Sequence, residues 1–179
     1  MLTYSAPRGF KQWAEVYLLY QSAFPRSEKK PFSMIRSMHK KGKSDVWRFE
    51  RAGRFAGIII TINGSEHILL DYLAVDKNQR GTGIGSEILS LMKDRYAGKG
   101  VFLEIESVWE DCENKAERIR RKQFYEKCGM ESMGVFVWLF GVKMELMSFG
   151  CKLMFAQYHA FYRDNYNQWA ADHISRAEK

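Results

Sequence analysis

The chain has 179 residues, 46% hydrophobic and 27% charged, which is ordinary for one globular domain and excludes disordered and fibrous classes. No apolar run approaches the ~20 residues a membrane span needs, and the opening MLTYSAPRGFKQW lacks the basic and apolar regions of a secretory signal, so a cytoplasmic protein without membrane segments is expected. The formal net charge of +7 favours anionic partners, but the basic residues are dispersed and, in ENKAERIRRKQFYEKC, interleaved with acidic ones, so nucleic-acid binding is not expected.

In chain order, LTYSA reads as a short edge strand, ended by Pro7 and Gly9. Phe10 to Phe24 carries Trp13, Val16, Tyr17 and Tyr20 at helical spacing and stops at Pro25. PFSMIRSMHKKG predicts a shorter helix with Met34, Ile35 and Met38 on one side. DVWRFERAGRFAGIIITINGSEHILLDYLAV then predicts three strands, with hairpin turns at Ala52-Gly53 and Asn63-Gly64. GIIITI and HILLDYLAV have the β-branched, apolar content of central strands.

After NQRGTGIG a helix runs to about Ala97, with Ile84, Ile88, Leu91, Met92 and Arg95 as its inward stripe. VFLEIES is the next strand. NKAERIRRKQFYEKCGM is a helix with Gly129 just past its end, and MGVFVWLFG and VKMELMSF form a final hairpin around Gly141. Residues 151–179 are expected to be a helical extension with Met154, Tyr158, Phe161, Tyr162 and Trp169 on one face, serving core or homodimer packing. The expected fold is a mixed, mostly antiparallel sheet of six to seven strands with helices on both faces, over residues 1–150. Cys112, Cys128 and Cys151 form no CxxC or Cys/His spacing, so no metal site is expected and a reducing compartment fits.

The glycine-rich stretch carries the first functional signal. Ser86 and Glu87 stand where a Walker loop needs lysine and a hydroxyl residue, and Ser86 and Ile88 break both registers of GxGxxG. What remains is a strand entering a helix through three glycines. A helix N-terminus offers unpaired N–H groups and partial positive charge, and glycines let several N–H groups converge on an anion. A tight turn with no ligand is the competing reading.

Gln79-Arg80-Gly81-Thr82-Gly83-Ile84-Gly85 resembles the acyl-CoA signature of the GCN5-related N-acetyltransferases, the GNAT superfamily. LLDYLAVDKNQRGTGIG resembles the family's central strand and pyrophosphate loop, and FYEKCGM its later helix motif; the resemblance covers about residues 2–149. It implies acetyl-CoA as co-substrate, with Leu73, Ala74 and Val75 pairing the pantetheine amides. It also implies that the N–H groups of Gly81, Thr82, Gly83, Ile84, Gly85 and Ser86 hold the pyrophosphate, with Arg80 and Lys77 facing phosphates. Where the family often has Asn, the later helix has Arg118, which takes over the cofactor contact or leaves it unmade; Asn114 lies one turn earlier.

Acetyl transfer to an amine needs the amine deprotonated, which for a lysine-like group costs about 4.6 kcal/mol at pH 7. It also needs the reactants held together and the leaving thiolate stabilised. The resemblance makes Tyr125 the acid and the Val75 N–H the group that polarises the carbonyl. For the base, Glu104 ranks before Asp71; Glu104 and Glu106 share a strand face by period two. Each carboxylate could instead bind the amine or pair with an Arg, and Glu28 could line the acceptor side.

The expected activity is thus acetyl-CoA-dependent N-acetylation of a small-molecule or peptide amine by direct transfer in a ternary complex. A non-catalytic acyl-CoA-binding module on the same fold is the alternative, and a basic nucleic-acid-binding protein a further one.

Overall fold

The computed structural model describes residues 1–26 and 28–179, which form two compact units. The first holds residues 1–63 and 70–95, the second residues 64–69 and 96–179.

Unit 1 contains β1 (Leu2–Ser5), α1 (Gly9–Ala23), α2 (Phe32–Lys40), β2 (Val46–Arg51), β3 (Arg54–Asn63), most of β4 (His67–Val75) and α3 (Ile84–Arg95). Its strands lie in the order β1-β2-β3-β4, with β1–β2 and β2–β3 antiparallel. In β3, Ile58, Ile59, Ile60 and Ile62 are all buried, so both strand faces are covered and the run reads as continuous rather than alternating. Val16, Leu19 and Tyr20 of α1 and Ile35 of α2 pack on Val46, Ile58, Ile60, Tyr72 and Ala74. At Ala52-Gly53 both residues have positive φ (51° and 72°), the geometry of a tight two-residue hairpin turn.

Unit 2 takes the first residues of β4 and adds β5 (Gly100–Glu106), α4 (Lys115–Lys127), β6 (Glu131–Leu139), β7 (Val142–Phe149), α5 (Phe155–Asn165), α6 (Gln168–Asp172) and β8 (Ile174–Ala177). The strand order is β4-β5-β7-β6-β8, with only β4–β5 parallel. Gly129 has φ +87°, and the Met130 N–H reaches back to the Tyr125 carbonyl (3.0 Å), closing α4 as expected. No helix among the described residues is long and apolar enough to cross a membrane.

Four local expectations are corrected. The sheet strands number eight among the described residues, because the C-terminal segment is not one helix: it breaks after Asn165 and ends in β8, which pairs with β6. Trp169 (62% exposed) lies beyond the break and Met154 (70%) stands before the first turn of α5, so both leave the buried face, which keeps Tyr158, Phe161 and Tyr162. In α3 the inward residues are Ile84, Ile88, Leu89 and Met92; Arg95 is exposed, with its guanidinium over the Trp47 ring. Finally, the turn expected at Asn63-Gly64 is longer than this residue pair. Residues 64–66 make the connection, and Gly64 is needed for space: a Cβ there would lie 2.7 Å from the Phe161 ring and 2.9 Å from the His67 carbonyl.

Candidate active site

In unit 1 the chain leaves β4 through a 3-10 turn, Lys77–Gln79, capped by the Asp76 carboxylate accepting from the Asn78 N–H (2.9 Å). Gly81 and Gly83 then take φ +75° and +81°, and a Cβ at either would meet open space. These glycines answer to backbone conformation, not to crowding. The Thr82 hydroxyl donates to the Gln79 carbonyl (2.7 Å), and Gln79 donates to the Phe55 carbonyl (2.6 Å). Arg51 donates to the Thr82 carbonyl (3.3 Å) and ion-pairs with Glu87.

These bonds tie down the carbonyl side of the loop. Among the described residues the N–H groups of Gly81, Thr82, Gly83, Ile84 and Gly85 find no protein acceptor; the first helical bond is Glu87 N–H to the Gly83 carbonyl (3.1 Å). Arg80 is exposed and uses only its Nε, on the Val75 carbonyl (3.3 Å), which leaves both terminal amino groups available. Lys77 is exposed beside it. A run of five donors, a helix N-terminus and a free guanidinium fork suits a pyrophosphate.

Leu73, Ala74 and Val75 form the end of β4, past the parallel β4–β5 register, which runs from His67↔Gly100 to Leu69↔Phe102. Their position depends on Gly57 of β3, where a Cβ would sit 2.6 Å from the Ala74 carbonyl oxygen and 3.1 Å from Ile88. Gly57→Ala is expected to destabilise unit 1 by about 1–3 kcal/mol, the usual cost of overpacking, and to weaken acetyl-CoA binding because the strand carrying Ala74 must shift. Urea unfolding and calorimetry check both effects; unchanged values in both would show that β3 and β4 give way freely here.

Asp71, also in unit 1, is 7% exposed and both its oxygens accept from Lys30 Nζ (2.7 and 2.6 Å). The pairing partner is thus a lysine, where the sequence suggested an arginine. Lys30 lies between α1 and α2, a connection anchored by Tyr72 donating to the Glu28 carbonyl (2.8 Å) and Tyr20 donating to the Lys30 carbonyl (3.0 Å). Burial pushes both phenols up, so they remain neutral donors. The Glu28 side chain is exposed.

In unit 2, Glu104 accepts from the hydroxyls of Tyr158 (2.7 Å) and Tyr162 (2.8 and 3.1 Å) of α5. Glu106 pairs with Arg118 (2.7 Å) and Arg121 (3.1 Å) of α4. Arg118 also donates to Asn114 Oδ1 (2.9 Å) and the Ser107 carbonyl (3.2 Å), so all three guanidinium nitrogens are engaged in joining α4 to the end of β5. That arrangement holds the helix in place and uses three of the five guanidinium N–H donors of Arg118. Tyr125 is half-buried against Phe124 (ring centroids 5.2 Å apart), and among the described residues its hydroxyl has no hydrogen-bond partner. Burial pushes the phenol up to about 12, with Arg121 pulling the other way.

Three site residues escaped the sequence reading: Lys30, Tyr158 and Tyr162. The two tyrosines carried a usable signal. They stand four apart on an amphipathic helix, and a buried phenol needs a polar partner. Lys30 had none, lying between helices with no pattern around it.

The sequence model of the Acetyltransferase (GNAT) domain matches residues 42–131. A curated Bacillus subtilis (strain 168) protein assigned as an acetyltransferase, YjbC, is 29% identical over 104 residues, 58% of this chain; the chain spans half the length of that relative. Among solved structures, a GNAT-family protein from Bacteroides thetaiotaomicron aligns with TM-score 0.74 at 16% identity, covering 96% of this chain and 98% of its own. An aminoglycoside 6'-N-acetyltransferase complexed with coenzyme A aligns with TM-score 0.66 at 13% identity, covering 86% and 99%. With the loop, the strand order and the later helix in agreement, the chain belongs to the GNAT acetyltransferase family.

Proposed function

We propose that the chain is an acetyl-CoA-dependent N-acetyltransferase that moves an acetyl group to a primary amine by direct transfer. The observation that carries this reading is the row of N–H groups from Gly81 to Gly85 at the start of α3, unpartnered among the described residues and flanked by the terminal amino groups of Arg80. Each charge-assisted hydrogen bond from such a row contributes roughly 1.5–3 kcal/mol. Acetyl-CoA supplies the activated thioester; the chain supplies position and proton handling. The main chain of Leu73, Ala74 and Val75 aligns the pantetheine arm, and the Val75 N–H polarises the carbonyl.

Tyr125 presents a protonated hydroxyl to the departing thiolate. Glu104 takes the amine proton, its carboxylate held in orientation by Tyr158 and Tyr162. Asp71 serves instead to fix the α1–α2 connection through Lys30, since an ion pair must break before that carboxylate can act as a base. Arg118 positions α4. The Glu104 carboxylate favours a cationic amine, small molecule or peptide, as acceptor.

The test is calorimetry with acetyl-CoA, then a panel of polyamines, aminoglycosides and peptide amines followed by thiol release. Binding with amine-dependent thiol release is the expected outcome. Binding without release under any amine turns the reading into an acyl-CoA-binding module, and no binding at millimolar acetyl-CoA removes both.

A further inference from the structure

Unit 2 contains a groove of about 760 Å³ that the acetyl-transfer reading does not use. Its walls come from the N-terminus of α5, the end of β8 and an irregular stretch of β6. Ser132 pairs with Met147 and Phe136 with Glu145, so three residues, Met133, Gly134 and Val135, stand opposite Leu146 alone. Such a bulge bends the strand and re-aims its side chains. Gly134 takes φ +69°, and the Met133 sulfur accepts from the Leu153 N–H (3.3 Å). Phe136, Leu153 and Phe155 give the groove an apolar lining.

The charges around this lining are one-sided. At its base Glu145, 1% exposed, accepts from Lys122 Nζ with both oxygens (2.8 Å each), a pair neutral overall. At its rim stand Lys152, Arg176 and Lys179, all exposed; the Lys179 ammonium lies 4.6 Å from the Trp109 ring centroid. Among the described residues the side chains of Lys152 and Arg176 have no ion-pair or hydrogen-bond partner, and Glu145 is the only lining residue with an acidic side chain. Two cations without side-chain partners among the described residues, Lys152 and Arg176, over an apolar floor select an amphipathic anion. The volume falls within the roughly 300–1,000 Å³ of small-molecule sites, whereas a protein partner would need a far larger contact.

We propose that this groove is a second ligand site, which takes a small molecule with an aromatic or aliphatic body and one carboxylate- or sulfonate-like head. The body lies against Phe136, Leu153 and Phe155, and the head meets Lys152 and Arg176. The site gives the C-terminal segment, which the acetyltransferase reading leaves unused apart from Tyr158 and Tyr162, a specific role as two of the groove's walls.

The full chain is titrated with 8-anilinonaphthalene-1-sulfonate, following probe emission and Trp quenching, with and without saturating acetyl-CoA. Saturable one-to-one binding, unaffected by acetyl-CoA and weakened at least tenfold in Lys152→Glu/Arg176→Glu, is the expected result. The neutral analogue N-phenyl-1-naphthylamine is expected to show no such dependence on the two charges. Both substituted residues are exposed, and circular dichroism checks that the variant folds; Lys152→Ala, expected to weaken binding about threefold, serves if it does not. The proposal is overturned if binding does not saturate, if the charge changes leave it unaltered, or if acetyl-CoA displaces the probe competitively. It is also overturned if an oligoglutamate peptide excludes the probe at lower concentration than phenylbutyrate does, since the occupant would then be an acidic polypeptide. Displacement by acetyl-CoA would overturn this site while supporting acetyl-CoA binding, and the other outcomes leave acetyl-CoA binding to the calorimetry described above.

Discussion

Tyr125→Phe is expected to lower kcat by roughly 10²-fold or more, the usual contribution of a positioned acid, while acetyl-CoA affinity stays within about twofold. The Tyr125 hydroxyl makes no hydrogen bond within the described residues, so its removal breaks no internal contact and stability should hold within about 0.5 kcal/mol. The loss would therefore be chemical. Burial pushes this phenol up to about 12, against about 8.5 for an ordinary thiol. The phenol thus holds its proton more tightly than the thiol does, by roughly 5 kcal/mol. Complete transfer is therefore uphill even to the departed thiolate, which leaves as the anion and takes its proton from water; what Tyr125 supplies is a hydrogen bond to charge as it develops on sulfur.

The sign of the pH dependence follows. A raised pKa keeps the acid protonated below about 12 and loses it only as pH rises through that value. The wild type should show no alkaline fall in kcat below about pH 11, whereas an ordinary tyrosine would bring that fall in near 10. Rapid-mixing thiol-release assays across pH measure this. A kcat unchanged in Tyr125→Phe would remove Tyr125 from the chemistry and leave the donor-binding loop untouched.

Lys122→Met is expected to cost about 3–5 kcal/mol, the usual result of stranding a buried charge, and to lower Tm by about 10 °C. Glu145 is 1% exposed and Lys122 17%, and the bidentate contact is the only ion pair of either residue among the described residues. Removing the ammonium leaves the carboxylate in an apolar wall without its counter-charge. Replacing both members, as Lys122→Met/Glu145→Leu, should recover most of the loss, because two apolar side chains of similar size need no compensation. Urea unfolding of the two single variants and the double variant gives the coupling energy directly. If Lys122→Met unfolds like the wild type, Glu145 does not depend on the lysine, and the base of the groove is not held by this pair.

Features set by neighbouring residues were legible in the sequence. Ala52-Gly53 and Gly129 needed positive φ, and a turn or helix end imposes that demand over a few residues. The isoleucine run of β3 announced a central strand because β-branched, apolar content acts residue by residue, and the structure covers it on both faces. The Gly81–Gly85 stretch was legible for the same reason: a strand running into a helix through glycines exposes donors whatever else the chain does.

The remaining features depend on long-range approach. Gly64 is required by a phenylalanine of α5, and Gly57 by a carbonyl of β4. Two carboxylates one pleat-period apart on β5 met different partners: two phenols of α5 for Glu104, two guanidinium groups of α4 for Glu106. No local rule assigns them. Ile174–Ala177 is too short to announce a strand and exists because the edge of β6 offers it hydrogen bonds.

By itself, then, the sequence determined the glycine-rich turn into α3, the order of the main elements and the family, since each rests on local dihedral demands, on periodicity or on short motifs. Only the tertiary structure decided how the candidate carboxylates are paired, what Arg118 holds, and that a charged groove forms beside the C-terminal segment. Ion pairs, buried hydrogen bonds and concave surfaces are made by residues far apart in the chain, and their energies depend on distance and desolvation that no local pattern encodes.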